Sequence, residues 1–326
     1  MATGDFDGDG RIDIVAGNWG LNSPYRATWE RPARIYYGDV DGNGSVDLIE
    51  AYQAEGMGIV PRRHRVAVAS ALPFVAAKFP THQSFAAATV AKVLGNLKPR
   101  TRELSATTLT TMVFLNRGDH FDAKLLPPEA QFAPAFGICV ADCDGDGRED
   151  IFLSQNFLAT QPEMPRLDGG RGLWLKGDDQ GGLAAVPGQE SGVNIYGEQR
   201  GAAVSDYDGD GRVDLVVTQN GADTKLYRNL RGKPGLRIRL NAGPGNPTSV
   251  GAMIRLKFGD HFGAAREIQA GSGYWSQNGA VQVMGMPEPP TQIWVRWPGG
   301  KNVTADVPPS AREIELDANG KLKVVR

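Results

Sequence analysis

The chain has 326 residues, 41% of them apolar and 22% charged, with a formal net charge of -2. That is enough for one large domain or two smaller ones with a sizeable core, and the charge gives no case for a nucleic-acid partner. No run of about 18 apolar residues is present, so no membrane-spanning helix is expected; 42 glycines and 21 prolines favour tight turns and short strands over helices.

The N-terminus, "MATGDFDGDG", has neither the basic start nor the apolar segment of a signal peptide. It runs at once into "DFDGDGRIDIVAGN", Asp5 to Asn18. The same pattern, D-x-D-G-[DN]-G-x-x-D followed by apolar residues, returns as "DVDGNGSVDLIEAY" from Asp39. Residues 57–110 then change character. They are Ala-rich, with apolar spacing of three to four, and predict helices broken at Pro73 and Pro80. "VPRRHRVA" places Arg62, Arg63, His64 and Arg65 at their start, expected as a solvated face rather than an anion site. Met112 to Pro127 predicts two strands and a turn, and the third copy, "DCDGDGREDIFLSQN", begins at Asp142. Gly172 to Pro187 predicts two more strands. The fourth copy, "DYDGDGRVDLVVTQN", starts at Asp206, and Thr224 to Gly232 predicts a strand after it. Beyond residue 233, runs such as "RIRL", "MIRLKF" and "IWVRW" alternate as strands do and predict a small all-β domain.

The loop spacing suits Ca²⁺, a hard cation taking six to eight oxygens. Acidic residues at positions 1, 3 and 5 converge if the chain turns sharply, and glycines at positions 4 and 6 permit that turn. Position 7 offers its carbonyl and position 9 is Asp in every copy. The expected ligands are Asp5, Asp7, Asp9, the Arg11 carbonyl and Asp13; Asp39, Asp41, Asn43, the Ser45 carbonyl and Asp47; Asp142, Asp144, Asp146, the Arg148 carbonyl and Asp150; and Asp206, Asp208, Asp210, the Arg212 carbonyl and Asp214. Up to four structural Ca²⁺ ions are expected, and each adds two charges, so four would carry the formal charge from -2 to +6. An EF-hand needs Glu at position 12 and flanking helices; that position holds Ala16, Glu50, Leu153 and Val217, within β-branched, apolar stretches. The plain alternative is an acidic turn without metal, disfavoured by repulsion among the carboxylates. Position 2 holds Phe6, Val40, Cys143 and Tyr207 and is expected to face the core. Cys143 and Cys139 are expected as buried thiols, with a reactive pair as the alternative.

These loops resemble FG-GAP or VCBS repeats, in which a calcium loop joins the first two strands of a β-propeller blade. The tail resembles the ASPIC/UnbV domain through "GNPTSVGA", "GSGYWSQNG" and "VRWPGG". That domain follows such repeats in proteins similar to cartilage acidic protein. The resemblance implies a mainly β chain: propeller blades over residues 1–232, a helical insertion at about 57–110 between the second and third strands of a blade, and an ASPIC/UnbV-like β domain over 233–326. Four loops imply about four blades, the first lacking its opening strand, with another chain or a missing N-terminal segment completing the ring.

No motif for a nucleophile, a base or a phosphate loop is found, and the four histidines are dispersed. Tyr274, Trp275, Gln277, Trp294 and Trp297 are candidates for a sugar or peptide surface, with core packing the commoner role for aromatics. The leading expectation is a non-enzymatic, calcium-stabilised binding, adhesion or assembly protein, extracellular, at the cell surface or periplasmic, with a protein or glycan ligand. The alternative is a carbohydrate-active or biosynthetic tailoring enzyme.

Overall fold

Wherever one of the four acidic repeats ends, a β-branched, apolar stretch begins, and in the computed structural model, which describes residues 1–326, each becomes a strand. The fold is mainly β, with 37% strand and 11% helix, built from several small sheets. The chain divides into two compact units, one of Met1–Asn22 with Thr110–Arg326 and one of Ser23–Leu109.

In the larger unit, three antiparallel sheets repeat one design. The first orders Ala2–Gly4, Asp13–Ala16, Met112–Asn116 and Phe121–Leu125. The second orders Ala135–Ala141, Asp150–Gln155, Leu173–Gly177 and Leu183–Val186. The third has only Glu198–Ser205, Asp214–Asn220 and Ala222–Tyr227. An acidic loop joins the first strand to the second in each. The strand-and-turn pairs expected at 112–127 and 172–187 are present, as is the strand expected at 224–232. Ala2–Gly4 pairs with Asp13–Ala16, which corrects the expectation that the first sheet lacks its opening strand: three residues before the loop suffice to form it.

The sheets stack because side chains alternate along a strand. Ile151 and Leu153 of the second sheet pack with Val15, Val113 and Leu115 of the first. Phe152 and Cys139 point the other way, to Val204, Leu215 and Val217 of the third. Asp150–Gln155 is therefore buried along its whole length. Two glycines set the closeness of the first strands. A Cβ on Gly137 would collide with the Arg200 carbonyl, and one on Gly4 with Val140.

After residue 233 come two further sheets. One orders Gln282–Met284, Leu236–Asn241, Glu313–Asp317 and Leu322–Val324, with a parallel pair at its centre. The other orders His261–Phe262, Met253–Phe258, Gln292–Arg296 and Asn302–Asp306, with Arg266–Glu267 also on Met253–Phe258. Ile238, Ile254, Val295, Trp297 and Ile314 are among the side chains that close the core between them. The segment bearing "GSGYWSQNG" runs along the first strands of the stack. Gly279 donates to the Val204 carbonyl at 2.9 Å and Asn278 accepts from the Val204 N–H at 3.0 Å.

The second acidic loop lies in the other unit, which corrects the count of about four like sheets to three. Its sheet orders Gly58–Pro61, Asp47–Ala54, Ala33–Gly38 and Arg102–Ala106, so the fourth strand pairs with the first rather than the third. Tyr36 and Ile49 of this sheet share a core with Val68, Val75, Phe85 and Val93 from four short helices, Arg65–Ala71, Phe74–Lys78, His82–Ala86 and Val90–Leu94. Pro73 and Pro80 fall in the breaks, as expected, and Thr81 and Thr89 accept main-chain N–H bonds at helix starts. The three arginines of the basic run find partners within the unit, while His64 is exposed. Arg62 lies 4.3 Å over the Tyr25 ring, Arg63 pairs with Glu50 at 3.1 Å, and Arg65 donates to the carbonyls of Ala76 and Phe79. It is neither a free anion site nor a merely solvated face.

Candidate metal centres

All four loops adopt one hydrogen-bond pattern. The position 9 carboxylate accepts the position 2 N–H: Phe6 to Asp13 at 2.8 Å, Val40 to Asp47 at 3.0 Å, Cys143 to Asp150 at 2.9 Å and Tyr207 to Asp214 at 3.1 Å. The position 1 carboxylate accepts the position 6 glycine N–H, from Gly10, Gly44, Gly147 and Gly211, at 2.7–3.1 Å. The position 5 oxygen accepts the position 7 N–H, which fixes the peptides of Arg11, Ser45, Arg148 and Arg212. Both glycines of every loop have positive φ, between 73° and 90°, where a side chain would be strained.

This frame gathers carboxylates. Asp5, Asp7 and Asp13 bring ligand oxygens within 4.8 Å of one another, as do Asp39, Asp41 and Asp47; Asp142, Asp144 and Asp146; and Asp206, Asp208 and Asp210. Asp9 turns to Arg11 instead. Asp150 and Asp214 each accept a second main-chain N–H, from Gly177 at 2.9 Å and Asn229 at 2.8 Å. Asn43 joins its loop through Asp41, at 3.2 Å. Glu50, the one position 12 acid, pairs with Arg63 and Tyr25 rather than closing a cation shell.

The all-oxygen set fits a hard divalent ion. One atom tests that fit directly: Asp5 Oδ1 is buried and has no hydrogen-bond partner, a costly arrangement unless a cation meets it. Burial also pushes the carboxyl groups of Asp5 and Asp142 up to about 6, against opposing main-chain N–H bonds and arginine charges, and that of Asp150 up to about 7. Asp13 and Asp214 are raised by burial as well.

Sequence spacing missed the cations around these loops. In the larger unit, a basic group at the end of each third strand bridges positions 3 and 5. Arg117 meets Asp7 at 2.6 Å and Asp9 at 3.7 Å; Lys176 meets Asp144, and Asp146 at 3.1 Å; Arg228 meets Asp208 at 2.6 Å and Asp210 at 3.4 Å. The C-terminal sheets reach the same loops. Ala265 donates its N–H to Asp5 at 2.7 Å, Arg237 pairs with Asp206 and with Glu313, and Arg266 forms a two-pronged pair with Glu149 at 2.9 and 2.8 Å. A basic residue near each third-strand end ("NRG", "LKG", "YRN") was the available signal for the bridging groups; the C-terminal arginines had none.

Phe6 and Val40 are buried at position 2 as expected and Cys143 is mostly covered, but Tyr207 is 56% exposed. Phe6 packs between the first and second sheets and Cys143 against the core between the second and third. No fourth sheet of this design follows the third, and Tyr207 stays largely at the surface. Cys139 and Cys143 are both free thiols. Burial pushes Cys139 up to about 12 and raises Cys143 too, which disfavours the reactive thiolate. Among the candidate surface aromatics, Trp297 is core and Trp294 half-buried. Gln277 and Tyr274 are exposed, and Trp275 is 92% exposed with φ at 50°.

Residues 243–323 match the family described as ASPIC and UnbV. No curated protein matches the chain. No helix is long and apolar enough to cross a membrane.

Proposed function

We propose that this chain is a non-enzymatic, calcium-stabilised binding or assembly protein of the extracellular, cell-surface or periplasmic space. Its three stacked sheets are FG-GAP/VCBS-type propeller blades, and the ASPIC/UnbV-type tail is docked on their first strands. Each of the four loops takes one Ca²⁺, held by carboxylates at positions 1, 3 and 9, the position 5 side chain (Asp in three loops, Asn43 in the second) and the position 7 carbonyl. The observation that carries this is the buried, unpartnered Asp5 Oδ1 inside a loop whose hydrogen-bond frame recurs three more times. Bound calcium would satisfy that oxygen and neutralise the clustered charge, adding its binding free energy to stability. Loops this near the surface suit the weak calcium sites of extracellular modules, with dissociation constants of about 0.1–1 mM, and that range supports the reading of a calcium-rich setting outside the cytosol. Exposed Trp275 and Tyr274, the former held in a backbone conformation rare for a large side chain, offer the protein or glycan contact.

Elemental analysis and thermal melting test the calcium assignment together. Up to four Ca²⁺ per chain and a clear drop in melting temperature in excess chelator are expected. A metal-free protein whose melting curve ignores chelator would sink it.

A further inference from the structure

The third sheet of the stack has three strands where the second has four. The last strand of the second sheet, Leu183–Val186, therefore has no strand opposite it, and the outer part of the interface between the two sheets stays open as a wedge. A cavity of about 540 Å³ fills it, within the range of small-molecule sites, roughly 300–1,000 Å³. The apolar part of its lining includes Trp174, Leu175, Val186, Val193, Val213 and Leu215. Most of these belong to the core between the sheets, so the cavity is rigid and continuous with packed structure.

Three cations stand around it, Lys176, Arg228 and Arg231. Arg231 makes no ion pair; its guanidinium donates to the Glu190 carbonyl at 3.1 Å. Its backbone is fixed by Asn229, whose side chain accepts from the N–H groups of Arg231 and Gly232 and donates to the Cys143 and Val213 carbonyls. The acids on the lining are Asp144, Asp150 and Glu190. Asp150 already accepts two main-chain N–H bonds, and Asp144 holds Lys176. If the third and fourth loops take calcium, as proposed above, Asp144 and Asp150 become metal ligands, and Lys176 and Arg228 lose the carboxylates that now hold them.

We infer that this wedge is a binding site for a small anionic amphiphile: an aromatic or aliphatic body against Trp174 and the valines, and a carboxylate, sulfonate or phosphate head on Arg231, reinforced by Lys176 and Arg228 once calcium is bound. The calcium dependence rests on the proposed function; the apolar cavity and Arg231 do not.

The test uses the full chain with anilinonaphthalene sulfonate as the anionic probe and N-phenylnaphthylamine as its uncharged counterpart, each titrated by fluorescence in saturating calcium and in chelator. One saturable site is expected for the sulfonate, tighter in calcium. It should weaken about tenfold in Arg231→Ala and be lost in Val186→Trp, which fills the wedge. The uncharged probe should bind at least about tenfold more weakly. Equal binding of the two probes, or sulfonate binding unchanged in Arg231→Ala, overturns the anion assignment; binding that survives Val186→Trp overturns the location. Should Val186→Trp melt early, Ser191→Trp blocks the mouth instead. Calcium titration by calorimetry, run on the same samples, separates the two claims. Filled loops with no bound sulfonate refute the wedge site, whereas Arg231-dependent sulfonate binding without any calcium uptake supports the wedge and refutes the metal assignment.

Discussion

The third loop and the second loop share a sequence pattern and a hydrogen-bond frame, yet they live in different surroundings. In the third, Asp142 and Asp150 are buried, Lys176 bridges Asp144 and Asp146, and the neighbouring Glu149 is held by Arg266 from the C-terminal sheets. In the second, Asp39 and Asp41 are exposed, position 5 is the neutral Asn43, and no ion pair reaches the loop carboxylates; Arg100 donates to the Val40 carbonyl at 3.2 Å instead. The motif therefore fixes a turn, while tertiary packing decides what the turn is worth. One copy is built into a tripartite contact of sheet, loop and C-terminal domain, and the other is a surface turn.

The largest expected difference comes from breaking that contact. Arg266→Ala leaves Glu149, with a side chain only 1% exposed, as a buried charge without its partner. Such losses cost about 3–5 kcal/mol. Arg100→Ala, which removes one hydrogen bond in the smaller unit, should cost about 1 kcal/mol. Denaturant unfolding of both variants measures the gap; equal costs would show that the C-terminal domain does not brace the third loop.

A smaller difference is expected at position 9. Asp13 accepts two main-chain N–H bonds, from Phe6 and from Asn116 of the third strand. Asp47 accepts one, from Val40. Removing an acceptor costs about 1–3 kcal/mol for each buried donor left without a partner. Asp13→Ala should therefore destabilise roughly twice as much as Asp47→Ala, measured in chelator so that metal plays no part.

The strands after each loop, the helical stretch and its proline breaks were legible in the sequence because they depend on local periodicity and turn chemistry. The grouping of sheets was not. Four equal motifs suggested four equal sheets, but a loop says nothing of what its preceding strand packs against. That information lies in small residues. Gly4 and Gly137 allow first strands to approach each other closely, whereas the strand before the second loop, "ARIYYG", carries Tyr36 and Tyr37 and packs against helices. The candidate carboxylates were found by spacing, since loop geometry is local. Arg117, Lys176 and Arg228 were missed because they arrive from a different strand. Arg237 and Arg266 come from a different domain altogether.

Protonation offers a further way to separate the loops. Asp5, Asp142 and Asp150 have folded-state values of about 6, 6 and 7, above the ordinary 3.8. The folded protein thus holds protons that the unfolded chain has released, so these groups stabilise the fold at low pH. That contribution is lost as pH rises from about 4 to about 7. In chelator, the larger unit should lose stability across this window. In calcium the loss should shrink or reverse, because metal replaces the proton on the same oxygens. Melting curves at several pH values, with and without calcium, show whether the sign holds; a chelated protein that gains stability over the window contradicts it.

The smallest effect is the most specific to the comparison. Lys176 occupies Asp144 and Asp146 with a charge that a calcium ion, if bound as proposed, would have to displace, whereas Arg100 leaves the carboxylates of the second loop alone. Lys176 is half exposed, so its pairs are worth only a few tenths to about 1 kcal/mol each. Lys176→Met should therefore tighten calcium at the third loop about three- to tenfold, and Arg117→Met and Arg228→Met should do the same for the first and fourth. Arg100→Ala should leave the second loop within about twofold of its starting affinity. Calorimetric titration of these variants, with position 1 of the other three loops changed to Asn so that one loop is read at a time, decides the matter. If Lys176→Met weakens calcium binding instead, the lysine is holding the carboxylates in place for the metal. The larger unit would then have evolved its bridging cations as preorganising groups, not as competitors.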